Sequence, residues 1–317
     1  MRIAFYLAAI GTLASAQDRT IASESDVRVV AFSKNGESLV GLCEGGKLRV
    51  WDVRSGSVRK TIELRKDERL SDLPSGTGLY AISGDDGSIA LLDWESGAAL
   101  RRVPGVKGRV RDVAIGSGGK TLAGSSRVAG NSRDETMRLF DATGKMQFAV
   151  PAGIGGTSSA AISPDGSILA AGSWDTNVRV WSVRNGELLR LIDNELSVSM
   201  FALAFTPDGK SLVTAGVDRT VYFWNTSTWK QERKLTGQPE MIASLAISSD
   251  GRMLAAGGFN DITEKHPVSI LLWDVASGKE LRRLPSPHQV SSVAFSPDGK
   301  WLAAASGDKT VRLWSVR

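Results

Sequence analysis

One segment, AFSKNGESLVGLCEGGKLRVWDVRSG from Ala31 to Gly56, recurs with gaps down to the C-terminus. Its clearest copies are AISPDGSILAAGSWDTNVRVWSVRNG, AFTPDGKSLVTAGVDRTVYFWNTS and AFSPDGKWLAAASGDKTVRLWSVR. An aromatic near the end of each copy sets the register: Trp51, Phe140, Trp181, Trp224, Trp273 and Trp314, with Leu92 holding the place in a weaker second copy. The intervals between these markers are 41, 48, 41, 43, 49 and 41 residues. A unit this short cannot bury its apolar residues alone, so it must stack on its neighbours.

Each copy carries strand chemistry. Ser292 to Ser296 and Thr310 to Trp314 mix β-branched and aromatic residues in period-two alternation. Between them Pro297-Asp298-Gly299 marks a tight turn, because Pro presets φ, Asp bonds its own backbone and Gly accepts positive φ. Pro164-Asp165-Gly166 and Pro207-Asp208-Gly209 repeat that turn. A fourth strand follows each aromatic after an Asn/Ser-Gly turn, as in Lys279 to Leu284. Four short strands per copy, seven times over, predict an all-β fold: a seven-bladed β-propeller of four-stranded antiparallel blades. The 34 glycines in 317 residues, about 11% against a typical roughly 7%, fit a chain that turns this often.

The repeats resemble the WD40 family, with Trp51-Asp52 and Trp273-Asp274 keeping the dipeptide that names it. Several copies depart from it. Three replace the Asp by Ser or Asn, the second reads Leu92-Asp93 and the third Phe140-Asp141. The family's Gly-His dipeptide is missing, and only Pro287-His288 and Gly237-Gln238 approximate it. The hydrogen-bonding Asp six residues before the aromatic is kept as Asp86, Asp134, Asp175, Asp218 and Asp308, replaced by Gly45 and Pro267 in copies one and six. These Asp are expected to be structural, in an incomplete network. The resemblance implies a non-catalytic scaffold presenting a rigid face to a protein or peptide partner, as a monomer and with no cofactor.

The N-terminus reads as a cleaved leader over residues 1–16. Met1-Arg2 supplies the positive start, Ile3 to Leu13 is mostly apolar, and Ala14-Ser15-Ala16 offers small residues for cleavage. The expected organisation is therefore this leader followed by one propeller over 17–317, exported to a periplasm or secreted. The apolar stretch is too short to span a bilayer, and no membrane span is expected. Asp18 to Ser23 precede the first strand of copy one, while copy seven stops three residues after Trp314. The N-terminal segment is expected to supply the missing outer strand of the last blade, since an open ring would leave a long unpaired edge.

Two His and one Cys exclude a three-histidine metal centre and a disulfide framework. No metal site is predicted. Gly116-Ser117-Gly118-Gly119-Lys120-Thr121 lacks the spacing of a phosphate loop and sits at a strand-connecting turn. No catalytic residue is assigned; a propeller enzyme, or a binder of an anionic polymer or envelope surface, is the alternative reading. A net charge of +5 that loses Arg2 with the leader gives no reason to expect nucleic acid as partner.

The longer intervals place insertions between the second and third strands of copies three and six, within Ser126 to Glu135 and Phe259 to Val268. Loops at that end, together with the starts of the first strands, form the expected binding face. It reads as basic on copies one to three, through Arg28, Arg69, Arg109, Arg111, Arg127 and Arg133. On copies four to six it reads as apolar and aromatic, through Trp174, Met200, Phe201 and Phe259. Arg and aromatic side chains are the types that dominate binding hot spots.

Overall fold

The structure is a computed structural model that describes residues 18–74, 77–103, 109–127, 135–153, 156–193, 200–260 and 267–316. These residues form seven four-stranded antiparallel sheets. Blade four shows the plan, with strands Thr157–Ile162, Ile168–Ser173, Val178–Ser182 and Leu188–Ile192 paired in chain order. First strands of neighbouring blades touch one another around the axis, so each blade runs from axis to rim. The glycine-rich segment after Ile115 is a turn, with Gly119 N–H donating to Gly116 O and Gly116 N–H to Thr121 O. The expected leader, residues 1–16, lies outside the described residues.

The seventh sheet closes as expected. Its outer strand is Arg19–Ala22, antiparallel to Thr310–Ser315 with Arg19 opposite Leu313 and Ala22 opposite Thr310. Polar contacts pin this strand on both sides. Asp18 pairs with Arg282 of blade six at 3.2 Å, and Arg19 Nη1 donates to Val53 O of blade one at 3.2 Å.

Seven buried apolar clusters fill the seven seams between blades. In each, the marker residue of a third strand packs with the preceding blade. Trp51 lies with Ala303, Ala305 and Leu313 of blade seven, Trp181 with Met137 and Leu139 of blade three, and Trp273 with Val213 and Phe223 of blade five. Trp314, Phe140 and Leu92 fill the same place in three other seams, and the half-buried Trp224 packs against the last. Burial of a large aromatic contributes a few kcal/mol, so these seams dominate the apolar stabilisation. Small residues interspersed in the second strands, such as Ala170, Ala171 and Ala303 to Ala305, let the sheets approach. A methyl on Gly124 would sit 2.5 Å from Ile89 Cδ1, and one on Gly257 would sit 2.5 Å from Val290 Cγ1.

The turn between the first and second strands repeats in detail. In four blades a hydroxyl two residues before the turn Asp donates to its carboxylate: Ser163 to Asp165, Thr206 to Asp208, Ser248 to Asp250 and Ser296 to Asp298, at 2.5–2.7 Å. The same hydroxyl oxygen accepts the N–H of the residue five positions on, as in Ile168, Ser211, Met253 and Trp301. Blade one uses Asn35 in the Asp position with Ser33. The hydroxyls are buried, so each turn spends its polar groups on itself.

If the N-terminal strand is part of the core, Ile21, 4% exposed in the seam between blades seven and one, is its anchor. Ile21→Ala is expected to destabilise the protein by about 2 kcal/mol in chemical denaturation. A change within experimental error would show that the strand does not close the ring.

Candidate interaction face

Because the strands of each blade are antiparallel, the start of the first strand, the end of the second and the start of the third meet at one end of the ring. The bulges of the first strands gather there. Pairing skips one residue near the start of six first strands, between Val27 and Val29, Val110 and Asp112, Thr157 and Ser159, Met200 and Ala202, Ile242 and Ser244, and Val290 and Ser292, and at the end of the blade-two strand, between Leu70 and Asp72. The extra residues are Arg28, Ser71, Arg111, Ser158, Phe201, Ala243 and Ser291. A bulge re-aims a side chain and commonly does so beside functional sites. In blades four and seven the Ser at this position staples the blades: Ser158 Oγ donates to Met200 O at 2.5 Å and Ser291 Oγ to Val27 O at 3.2 Å.

The apolar half of the expected face comes together. Trp174, in the turn after the second strand of blade four, is 49% exposed. Its ring meets Phe201 of blade five edge-on, with centroids 5.3 Å apart at 63°. Phe201 in turn lies 6.1 Å from Phe259 of blade six. Three blades thus join one aromatic surface. Met200 takes no part in it: at 2% exposure it packs with Val178, Val180 and Ile192 in the seam between blades four and five. The bulge explains the difference, since Met200 is the last paired residue and Phe201 the extra one.

The Trp174 turn is held rigidly. Trp174 N–H donates to Gly156 O at 3.0 Å, and Arg179 makes a two-pronged ion pair with Asp175 at 3.0 and 2.7 Å. This pair is one case of a rule that the missing Gly-His dipeptides concealed. In blades four, five and seven the Asp six residues before the aromatic is met by the residue four places on, which lies on the same face of the strand. Arg312 serves Asp308 in blade seven, and the Tyr222 hydroxyl donates to Asp218 at 2.7 Å in blade five. Burial, then the Asp218 hydrogen bond, pushes the Tyr222 phenol up to about 12. In blade two, Asp86 accepts from Ser88 N–H. Asp134 lies outside the described residues.

The two copies without this Asp find a carboxylate elsewhere. In blade one, where Gly45 replaces it, the buried Arg49 pairs with Glu24. In blade six, where Pro267 stands, the fully buried Glu240 accepts from Gln238 Nε2 at 2.7 Å and from Ser269 N–H at 2.9 Å. The Asp-x-x-x-Arg spacing of Asp175 and Asp308 was visible in the sequence, whereas Glu24 and Glu240 come from segments no spacing links to these sites.

The basic half is partly compensated. Arg28 and Arg69 line one cleft of about 560 Å³ between blades one and two, with Arg65, Lys66, Glu44 and Glu68. Arg28 faces Glu44 at 3.7 Å, Arg69 faces Asp85 at 3.2 Å and Arg65 meets Glu68 at 2.7 Å. Exposed pairs like these contribute about 1 kcal/mol or less each, but they cancel local charge. Arg109 and Arg127 sit opposite each other across the first two strands of blade three, with Arg111 two residues along. The side chains of these three and all of Arg133 lie outside the described residues. So do residues 128–134 and 261–266, which span most of the two insertions. Among the described residues no group of three His, Cys, Asp or Glu side chains is placed to hold a metal ion.

A closed ring of seven four-stranded blades, six of its seams plugged by a third-strand aromatic and one by Leu92, is a β-propeller built from repeats. The WD40 family, described as WD domain, G-beta repeat, matches residues 12–52, 153–182, 189–225 and 278–315. With these matched stretches and seven blades on one plan, the chain belongs to the WD40-repeat family. The periodic tryptophan protein 2 homologs of Dictyostelium discoideum and Caenorhabditis elegans are 28% and 24% identical to it, over 73% and 90% of this chain. Autophagy-related protein 16 of Arabidopsis thaliana is 25% identical over 62% of it. The chain spans 25%, 35% and 46% of the lengths of these three relatives.

The Asp308–Arg312 pair gives the face a pH signature. Burial works to raise the Asp308 carboxyl, but hydrogen bonds led by that from Arg312 overcome it and hold it at about 2, below its ordinary 3.8. A depressed carboxyl stabilises the fold above its unfolded pKa, and that contribution is lost as pH falls from about 4 to about 2. Asp308→Asn should therefore lower Tm at pH 6, with the gap to wild type closing as pH approaches 2. A gap independent of pH would show that the charge on Asp308 does not matter.

Proposed function

We propose that the protein is a non-catalytic scaffold, acting as a monomer, that holds a protein or peptide partner on the loop end of its ring. The observation that carries this reading is the Trp174, Phe201 and Phe259 surface. A half-exposed Trp backed edge-on by a second ring is an anchor of the type that dominates interface energetics. It sits on a turn already fixed by the Asp175–Arg179 pair, so a partner would order little on binding. The carboxylates beside Arg28, Arg65 and Arg69 weaken a purely electrostatic reading, because an anionic polymer would have to displace them.

The proposal extends to location. Residues 1–16 have the charge, apolar run and small-residue site of a cleaved leader, so the partner would be met in a periplasm or outside the cell.

The test is crosslinked affinity capture from the native envelope or medium, comparing wild type with Trp174→Ala and with Phe201→Ala. Loss of a central aromatic anchor costs about 2 kcal/mol or more, roughly 30-fold in Kd, so proteins captured by wild type should drop out while Tm holds. Capture unchanged by both substitutions would remove this face from the account, and reproducible turnover of a small substrate would replace the scaffold reading.

A further inference from the structure

The rim of the ring carries a surface that the loop end does not use. Every blade ends on an outer strand whose outward N–H and C=O groups are unpaired, an invitation to further strands that natural sheets blunt with charge, proline or brevity. Six blades here show such devices. The outer strands Val58–Glu63, Ala99–Val103, Gln231–Leu235 and Glu280–Ser286 each carry two or more charged residues. Met146–Gly153 contains Pro151, and Arg19–Ala22 is four residues long.

The outer strand of blade four, Leu188–Ile192, is the exception. Leu188, Leu189 and Leu191 are 51%, 41% and 43% exposed. Between them stands Arg190, exposed and with no ion-pair or hydrogen-bond partner among the described residues. The outer-strand cations Arg59, Arg282 and Arg283, by contrast, pair with Asp52, Asp18 and Glu280. Leu188 lies opposite Trp181, Arg190 opposite Val180 and Leu191 opposite Arg179. Inward pairing skips only Leu189, at a bulge between the Val180 and Trp181 pairs, and the other side of the strand is open.

We propose that this edge accepts an extended peptide segment as a fifth strand of blade four, the segment carrying an acidic side chain opposite Arg190 flanked by apolar residues. Main-chain hydrogen bonds along an edge give such a complex its affinity, and the alternating side chains give it specificity. The exposed leucines supply apolar area to bury. The unpaired guanidinium supplies the charge that a carboxylate on the incoming strand complements, since opposite charges across a strand pair attract and like charges repel. The same rule disfavours a second copy of this chain. Arg190 is the middle of five residues, so the antiparallel register that pairs all five sets the two Arg190 side chains directly opposite each other, and a register shifted by one residue gives up a pair and puts them on opposite faces of the sheet.

The proposal stands apart from the aromatic face and is tested separately. The probe is a fluorescein-labelled peptide, Thr-Val-Val-Glu-Val-Val-Thr, with a counterpart carrying Lys for Glu, each titrated into the full chain by anisotropy and followed by amide hydrogen exchange. The Glu peptide should slow exchange of the 188–192 amides at least tenfold and bind at least tenfold more tightly than the Lys peptide. Arg190→Glu, a surface change that should leave the circular dichroism and Tm unaltered, should reverse that preference. Equal binding of both peptides, absence of binding, or protection confined to the loop end around Trp174 would overturn the proposal. So would sedimentation showing the chain dimerised with the 188–192 amides protected in the absence of peptide.

Discussion

Everything in this protein follows from the fact that a four-stranded blade is apolar on both faces. Such a sheet has no side to turn to water, so each blade must be sandwiched, and seven can be sandwiched at once only in a closed ring. The third-strand aromatics meet that demand. Trp51, Trp181, Trp273 and their counterparts each reach from one blade into the core of the one before. Last and first blades obey the same rule because Arg19–Ala22 completes the seventh sheet and sets Ile21 into the seam with blade one.

A ring with seams on one plan is free to vary at its ends, and that is where this chain becomes individual. The first-strand bulge recurs in all seven blades, but its occupant changes from Arg28 to Ser158 to Phe201. Ser158 and Ser291 there tie one blade to the next, while Arg28 or Phe201 carries charge or an aromatic ring instead. Trp174 and Phe259, from neighbouring blades, then complete with Phe201 a surface that no single repeat encodes. The rim varies in the same way, as the contrast between Leu188–Ile192 and the charged outer strands shows.

Much of the architecture was legible in the sequence because it is local and repeated. The period gave the blades, the Pro-Asp-Gly turns gave the first hairpins, and the orphaned segment from Asp18 to Ser23 gave the closure. The site was legible in part. Counting from the turns puts Trp174, Phe201 and Phe259 on one face, and their rings join through Phe201. The same counting puts Met200 there too, because it cannot foresee a bulge that turns the next residue outward. Likewise, Glu44 beside Arg28 and Asp85 beside Arg69 are contributed by other strands and turns, and the strand positions of those arginines do not reveal the pairing. The family's His was missed as a loss, when Arg179, Arg312 and Tyr222 take over its partner from within the same strand.

The claim underlying all of this is that the blades stabilise one another as a single ring and not as a row of separate repeats. Differential scanning calorimetry tests it most directly. The ring predicts one transition with calorimetric and van't Hoff enthalpies equal within about 10–20%, because no blade keeps its core once a neighbour leaves. Two or more resolved transitions, or a calorimetric enthalpy well above the van't Hoff value, would mean that groups of blades melt alone and would contradict it.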